Sequence, residues 1–190
     1  QSVDGFPAIV SDPWLNGRIT AIHACSDLWA SGAIVTSAQA LITLPLVNQN
    51  LQKELLSQSL AGIQSVLKPQ GAELIGGHTI ESRMRDPEPC TLGLQVNLSV
   101  NGLLPKGRLP WTKSGLRPGD VLLLTRPIGT GVIFAAAMRG AAQPEDIDAA
   151  IRQMGKSQHQ VLEKLLKIQD SMVEYSVVSA CTDITGYGLL

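Results

Sequence analysis

The chain has 190 residues, 44% of them hydrophobic and 16% charged, with a formal net charge of −1. That length suits one domain or a domain and a half; the apolar content is ample for a core, and the charge supplies no basic field of the kind that binds nucleic acid. Cys25, Cys90 and Cys181 are odd in number, far apart and without a CxxC pair, which argues against a disulfide framework or structural zinc site and for a reducing cytoplasm.

No initiator methionine precedes Gln1-Ser2-Val3-Asp4, which reads as the last part of a strand ending at Asp4. Residues 16–32 carry Ile19, Ile22 and Leu28 among small residues, a helix with a close-packed face. Residues 34–44, rich in Ile, Val, Thr and Leu, predict a strand. Leu51, Leu55, Leu56, Leu60, Ile63 and Leu67 recur at helical spacing. Leu74-Ile75 predicts a short strand running into a Gly76-Gly77 turn, and Leu92, Leu94, Val96, Leu98 and Val100 alternate strictly with smaller or polar residues, the signature of a half-buried strand.

Residues 101–119 are rich in Gly and Pro and predict a crossing between two units. A buried strand is expected at 121–125, helices at the Ala135-Ala136-Ala137 run, at 145–153 and at 157–172, and a last short buried strand at 177–180. The pattern predicts an α+β fold, an α/β sandwich, with a first domain over 1–105 and the beginning of a second over 106–190. The chain reads as a piece of a longer polypeptide, with no segment long and apolar enough to span a membrane and no signal peptide.

Two phosphate signatures fail on inspection. Gly155-Lys156-Ser157 resembles the end of a P-loop, but Ala150 stands where that motif needs its first glycine. Gly129 and Gly131 lack the third glycine of a dinucleotide fingerprint. Three acids remain. Asp4 follows an apolar strand residue, Asp27 sits in a helix among small neighbours, and Asp183 precedes a two-glycine turn at the expected end of a strand. Hard oxygen ligands on distant segments suit Mg²⁺ carried by phosphates. Each also has a plain structural reading: a turn cap for Asp4, a solvated helix acid for Asp27, an Asx-type turn for Asp183.

Five segments then carry a resemblance over essentially the whole chain. They are Ser2-Val3-Asp4-Gly5-Phe6; Gly17-Arg18-Ile19 through Ser26-Asp27-Leu28-Trp29-Ala30-Ser31-Gly32; Gly76-Gly77-His78-Thr79-Ile80; Leu124-Thr125-Arg126-Pro127-Ile128-Gly129-Thr130-Gly131; and Thr182-Asp183-Ile184-Thr185-Gly186-Tyr187-Gly188-Leu189-Leu190. In order and kind they resemble the selenophosphate synthetases (selenide, water dikinases) of the aminoimidazole ribonucleotide synthetase-like superfamily. The resemblance implies that fold's N-terminal domain with the start of its C-terminal domain, and an enzyme making selenophosphate from selenide, ATP and water with release of AMP and phosphate. It implies ATP contacts at Asp4, Asp27, Gly77, His78 and Thr79, Mg²⁺ ligation by Asp27 and Asp183, a homodimer in which the Gly-His-Thr turn reaches the nucleotide across subunits, and a cytoplasmic location without nucleic-acid or membrane partners.

The departures are as specific. The nucleophilic Cys or Sec of that family and its neighbouring Lys match nothing in this chain, and Cys25, Cys90 and Cys181 occupy none of those positions, so no residue is assigned as catalytic. His23 stands where the family commonly has Asn, and the 81–88 connection is longer than usual. Two alternatives stay open: another ATP-using enzyme of the superfamily, of the thiamine-phosphate kinase or hydrogenase-maturation type, and a non-catalytic nucleotide-binding or dimerisation module.

Overall fold

A computed structural model describes residues 1–82, 93–172, 177–186 and 188. Strand β1 covers Ser2–Pro7. Helix α1, Pro13–Ala30, starts where Asp12 accepts a hydrogen bond from the Leu15 amide and Pro13, lacking an N–H, fits the first turn. Strand β2 is Ile34–Leu44. Helix α2, Gln49–Leu67, is capped by Asn48 in the same way and runs into a 3₁₀ turn at Lys68–Gln70. Strands β3, Glu73–Glu81, and β4, Gln95–Leu103, complete a four-stranded sheet in the order β1-β4-β2-β3. Only the β2–β3 pair is parallel, joined through α2; β4 runs antiparallel to both neighbours.

The helices cover one face of the sheet, α1 over β1 and β4, α2 over β2 and β3. Val96, Leu98 and Val100 of β4 and Ala38, Ala40 and Ile42 of β2 point into that layer and are buried with Ile22, Ile63 and Val66. The helices touch backbone to backbone: a Cβ on Gly62 would lie 1.9 Å from the Trp14 carbonyl oxygen. The other face is open, with Val3, Leu41 and Ile80 exposed among Gln39 and Gln95. This two-layer arrangement is the α+β sandwich expected from the sequence.

Four expectations are corrected. Asp4 lies inside β1, not at its end, because β1 pairs with β4 as far as Pro7. Gly76 and Gly77 form no turn; β3 continues through His78 and Thr79, and Gly77 lacks a side chain because a Cβ there would sit 2.0 Å from the Ala40 carbonyl oxygen of β2. Residues 121–125 are neither a strand nor buried: among the described residues no strand pairs with them, and Val121, Leu122 and Leu123 are 78–80% exposed. Residues 177–180 are irregular for the same reason, so Asp183 does not close a strand. The start of the alternating β4 pattern, Leu92, lies outside the described residues, as do Cys90, Tyr187, Leu189 and Leu190.

Beyond β4 the chain forms helices α3, Thr130–Ala137, α4, Pro144–Met154, and α5, His159–Ser171. Arg18 of α1 fastens this part to the sandwich, donating through Nε to the Gly155 carbonyl (2.8 Å) and through Nη1 to Ser65 Oγ (2.8 Å). Among the described residues no helix is long and apolar enough to cross a membrane.

Candidate functional site

The site grows from matched repeats. Four residues along a helix advance about 6 Å, and two along a strand advance about 6.6 Å. His23 and Asp27 on α1 therefore stand opposite Asp4 and Ser2 on β1. His23 Nε2 lies 2.8 Å from Asp4 Oδ2, its ring edge-on to Phe6 at 5.2 Å, and Ser2 Oγ donates to Asp27 Oδ2 at 2.8 Å. Asp4 Oδ1 accepts from the Gly5 amide at 2.7 Å.

Asp183 reaches α1 through a short relay of backbone pairs. The Trp111 amide donates to the Ser31 carbonyl just past α1 (3.0 Å), and the Cys181 amide donates to the Thr112 carbonyl (2.9 Å). Two residues on, Ser26 Oγ donates to Asp183 Oδ2 at 2.6 Å across 157 positions of sequence. The Thr185 hydroxyl donates to the same oxygen. Burial alone pushes the Asp183 carboxyl up; the hydroxyls of Ser26 and Thr185, the Asp27 side chain within hydrogen-bonding reach and the field of His23 outweigh it and hold the group below its ordinary value.

Asp27 and Asp183 thus share one wall of a cleft of about 510 Å³, with Ser2, Trp111, Lys113 and Cys181 among its other lining residues. One oxygen of each carboxylate is engaged by hydroxyl donors; among the described residues no hydroxyl or backbone amide donates to the other. Among the described residues no group of three or more His, Cys, Asp and Glu forms a cage. Two carboxylates with open space in front of them fit a hard divalent cation that takes its remaining oxygens from a bound phosphate and water.

Gly77, His78 and Thr79 are elsewhere. The register aligns His78 with Leu41, Leu41 with Asn97 and Asn97 with Gly5, so His78 and the neighbour of Asp4 end one row at opposite edges of the sheet. Three strand spacings put them about 14 Å apart. The three residues instead line a second cleft, of about 360 Å³, between β3 and the Leu56–Leu60 face of α2.

Neither described cysteine is activated. Burial pushes the Cys25 thiol up to about 12 against a weaker opposing hydrogen bond from Gln70, and burial together with the charge of Asp183 raises Cys181. The hydroxyls of Ser2, Ser26 and Thr185 escape a reading of the sequence, and their only signal is position, beside an acid or two residues from it.

Comparison with known proteins bears on residues 1–103, which match the family described as AIR synthase related protein, N-terminal domain. The whole chain aligns with a selenide, water dikinase of Geobacter metallireducens at 36% identity over 190 residues, 100% of this chain and 50% of that protein. The chain thus spans about half the length of the curated relatives it matches. The fold is shared with a thiamine-monophosphate kinase of Stenotrophomonas maltophilia (TM-score 0.64, 17% identity, 85% of this chain and 50% of that one). It is shared too with a hydrogenase maturation protein solved in complex with ATP (TM-score 0.62, 17% identity, 87% and 47%).

Proposed function

The chain belongs to the AIR synthase related protein family, and on that premise we propose that it forms the cation- and nucleotide-binding part of an enzyme that makes selenophosphate. The reaction consumes selenide, ATP and water and releases AMP and phosphate. The observation that carries this reading is the meeting of Asp27 and Asp183, from distant parts of the sequence, on one cleft wall. It is supported by the selenide, water dikinase aligned over the full chain.

In this reading Asp27 and Asp183 hold Mg²⁺ through the oxygens their hydroxyl partners leave free. The bound cation offsets the charge of the phosphates it carries. Asp4, steadied by His23 and the Gly5 amide, faces the nucleotide beside them. The distance of Gly77, His78 and Thr79 from Asp4 makes sense if they serve the nucleotide of a second subunit, in a homodimer formed by joining the open sheet faces where Val3, Leu41 and Ile80 are exposed. The division between two domains falls near residue 105, just after β4, and the enzyme works in the cytoplasm.

Catalysis by positioning needs the nucleotide held by a full set of ligands and closed off from water. The chain by itself therefore binds Mg-ATP weakly and does not release AMP in a sustained, selenide-dependent way. The test has two arms. Calorimetry of Mg-ATP on the chain, with Asp27→Ala and Asp183→Asn as controls, measures binding; selenide-dependent AMP formation by the longest polypeptide carrying this sequence measures activity. Turnover of thiamine monophosphate instead of selenide would replace the proposed substrate. Mg-ATP binding without turnover by that polypeptide would mark a binding module.

A further inference from the structure

Resting on the cation reading above, we propose that Ser26 is a positioning residue for Asp183: its hydroxyl decides which oxygen of that carboxylate is left to face Asp27.

Ser26 Oγ has two acceptors and one proton. It lies 2.8 Å from the His23 carbonyl, the ordinary back-bond of a serine inside a helix, and 2.6 Å from Asp183 Oδ2. The charged acceptor is the stronger of the two, and the His23 carbonyl keeps its helical partner, the Asp27 amide four residues on. Giving the proton to Asp183 therefore leaves little unsatisfied behind it. Thr185 donates to the same Oδ2, so that oxygen is occupied twice, while among the described residues no hydroxyl or backbone amide donates to Oδ1.

The two hydroxyls differ in what they can fix. Thr185 is two residues from Asp183 and travels with it. Ser26 stands on α1, directly before Asp27 in the sequence, and Ser2 on β1 holds Asp27 by the same kind of bond. Among the described residues, Ser26 is the hydroxyl that ties the orientation of Asp183 to the element that carries the other carboxylate. The backbone relay through Trp111 and Thr112 brings the 181–183 segment near α1, but a backbone bond at Cys181 leaves the rotation of the Asp183 side chain free. Partners of this kind, one bond behind a ligand, change metal affinity by roughly 10- to 100-fold.

The probe is Mn²⁺, titrated into the chain with and without ATP and followed by the electron paramagnetic resonance of the free ion. Ser26→Ala weakens Mn²⁺ binding by about tenfold or more. Ser26→Thr, which restores a hydroxyl, recovers most of it, and the metal-free melting temperatures of all three proteins agree. Thr185→Ala gives a smaller loss because Ser26 remains. Undiminished binding by Ser26→Ala overturns the proposal, as does a metal-free loss of stability that runs parallel to the binding loss. Asp183→Asn separates the two levels. If it abolishes Mn²⁺ binding while Ser26→Ala does not, the positioning role alone falls; if it binds Mn²⁺ normally, or the unsubstituted chain binds none, the cation reading falls and takes the proposal with it.

Discussion

Two apolar runs in this chain meet opposite fates. In β4, Leu98 and its neighbours Val96 and Val100 are fully buried between β1 and β2 and beneath α1. In the later half, Val121, Leu122 and Leu123 form an unbroken apolar run that is 78–80% exposed and belongs to no sheet among the described residues. Among the described residues, the buried apolar side chains other than Ala150 and Leu162 all lie between Ala8 and Val100. Apolar character by itself does not bury a strand. A ladder must satisfy its backbone groups, and a covering layer must meet its side chains. The sandwich supplies both; the described residues of 104–186 supply helices without a sheet for them to cover.

That contrast sets the scale of the largest expected effect. Leu98→Ala removes a side chain from the middle of the core and costs about 2–5 kcal/mol, whereas Leu122→Ala, at 78% exposure, stays within about 0.5 kcal/mol. Urea unfolding followed by far-UV circular dichroism measures both. Equal losses would mean that the 121–124 run is packed in solution and that the contrast is false.

Glycines sharpen it at a smaller scale. Gly62→Ala forces a methyl against the Trp14 carbonyl where the helices touch and costs about 1–3 kcal/mol. Gly131, inside α3 with nothing within 4 Å of the same methyl, gives the opposite sign: Gly131→Ala stabilises its helix by roughly 0.5–1 kcal/mol. Melting curves of the pair, read side by side, test whether one half is tightly packed and the other open.

The halves are not independent: besides the Trp111–Ser31 and Ser26–Asp183 bonds, Arg18 joins them. Its bonds to Gly155 and Ser65 join α1, the end of α2 and the end of α4. Arg18→Gln is expected to speed amide hydrogen exchange in α4 and α5 by roughly 10- to 150-fold, the equivalent of a lost charge-assisted bond worth about 1.5–3 kcal/mol, while β2 and β4 keep their protection. Loss of protection in the sheet as well would make the two halves one cooperative unit.

Much of the sandwich was legible because each element there is locally consistent with its place. Strand β2 has the bounds its β-branched run predicts, α2 follows its leucine spacing, and the alternation of Leu94, Val96, Leu98 and Val100 matches their common burial. The misreadings share one cause. Gly76-Gly77 reads locally as a turn, but glycine is needed there for the close approach of Ala40 in the neighbouring strand, a contact no local pattern reports. The 121–125 run reads as a strand because pattern cannot see whether a partner exists. The three acids stood out as rare charges among small or apolar neighbours, and the fold places Asp27 against Asp183 and Asp4 against His23. The hydroxyls that orient them did not, since a serine beside an aspartate is common in any sequence and acquires meaning only when a segment 157 positions away arrives beside it.

The smallest effect concerns the cysteines, one from each half. Cys25 is fully buried on the inner face of α1, and burial pushes its thiol from 9.0 up to about 12, so at pH 8 roughly one molecule in ten thousand carries a thiolate. Cys181 is half-buried at the cleft, its thiol raised by burial and by Asp183. In a Cys90→Ser background, a thiol-exchange reagent at pH 8 should therefore modify Cys181 slowly and Cys25 only after unfolding. The same shift has a sign in stability. A folded value above the unfolded one means that the native state holds its proton between about pH 9 and pH 12 while the unfolded chain has lost it. Cys25 therefore favours folding fully below pH 9, and the advantage declines as pH rises through that window, by at most about 1.4 kcal/mol per pH unit. Cys25→Ala should flatten the alkaline fall of the melting temperature without altering its neutral-to-acid limb. Modification of Cys25 as fast as Cys181 in the native chain would show that α1 opens from the sheet far more readily than its packing implies, and the contrast between a closed half and an open one would then lose its firmest example.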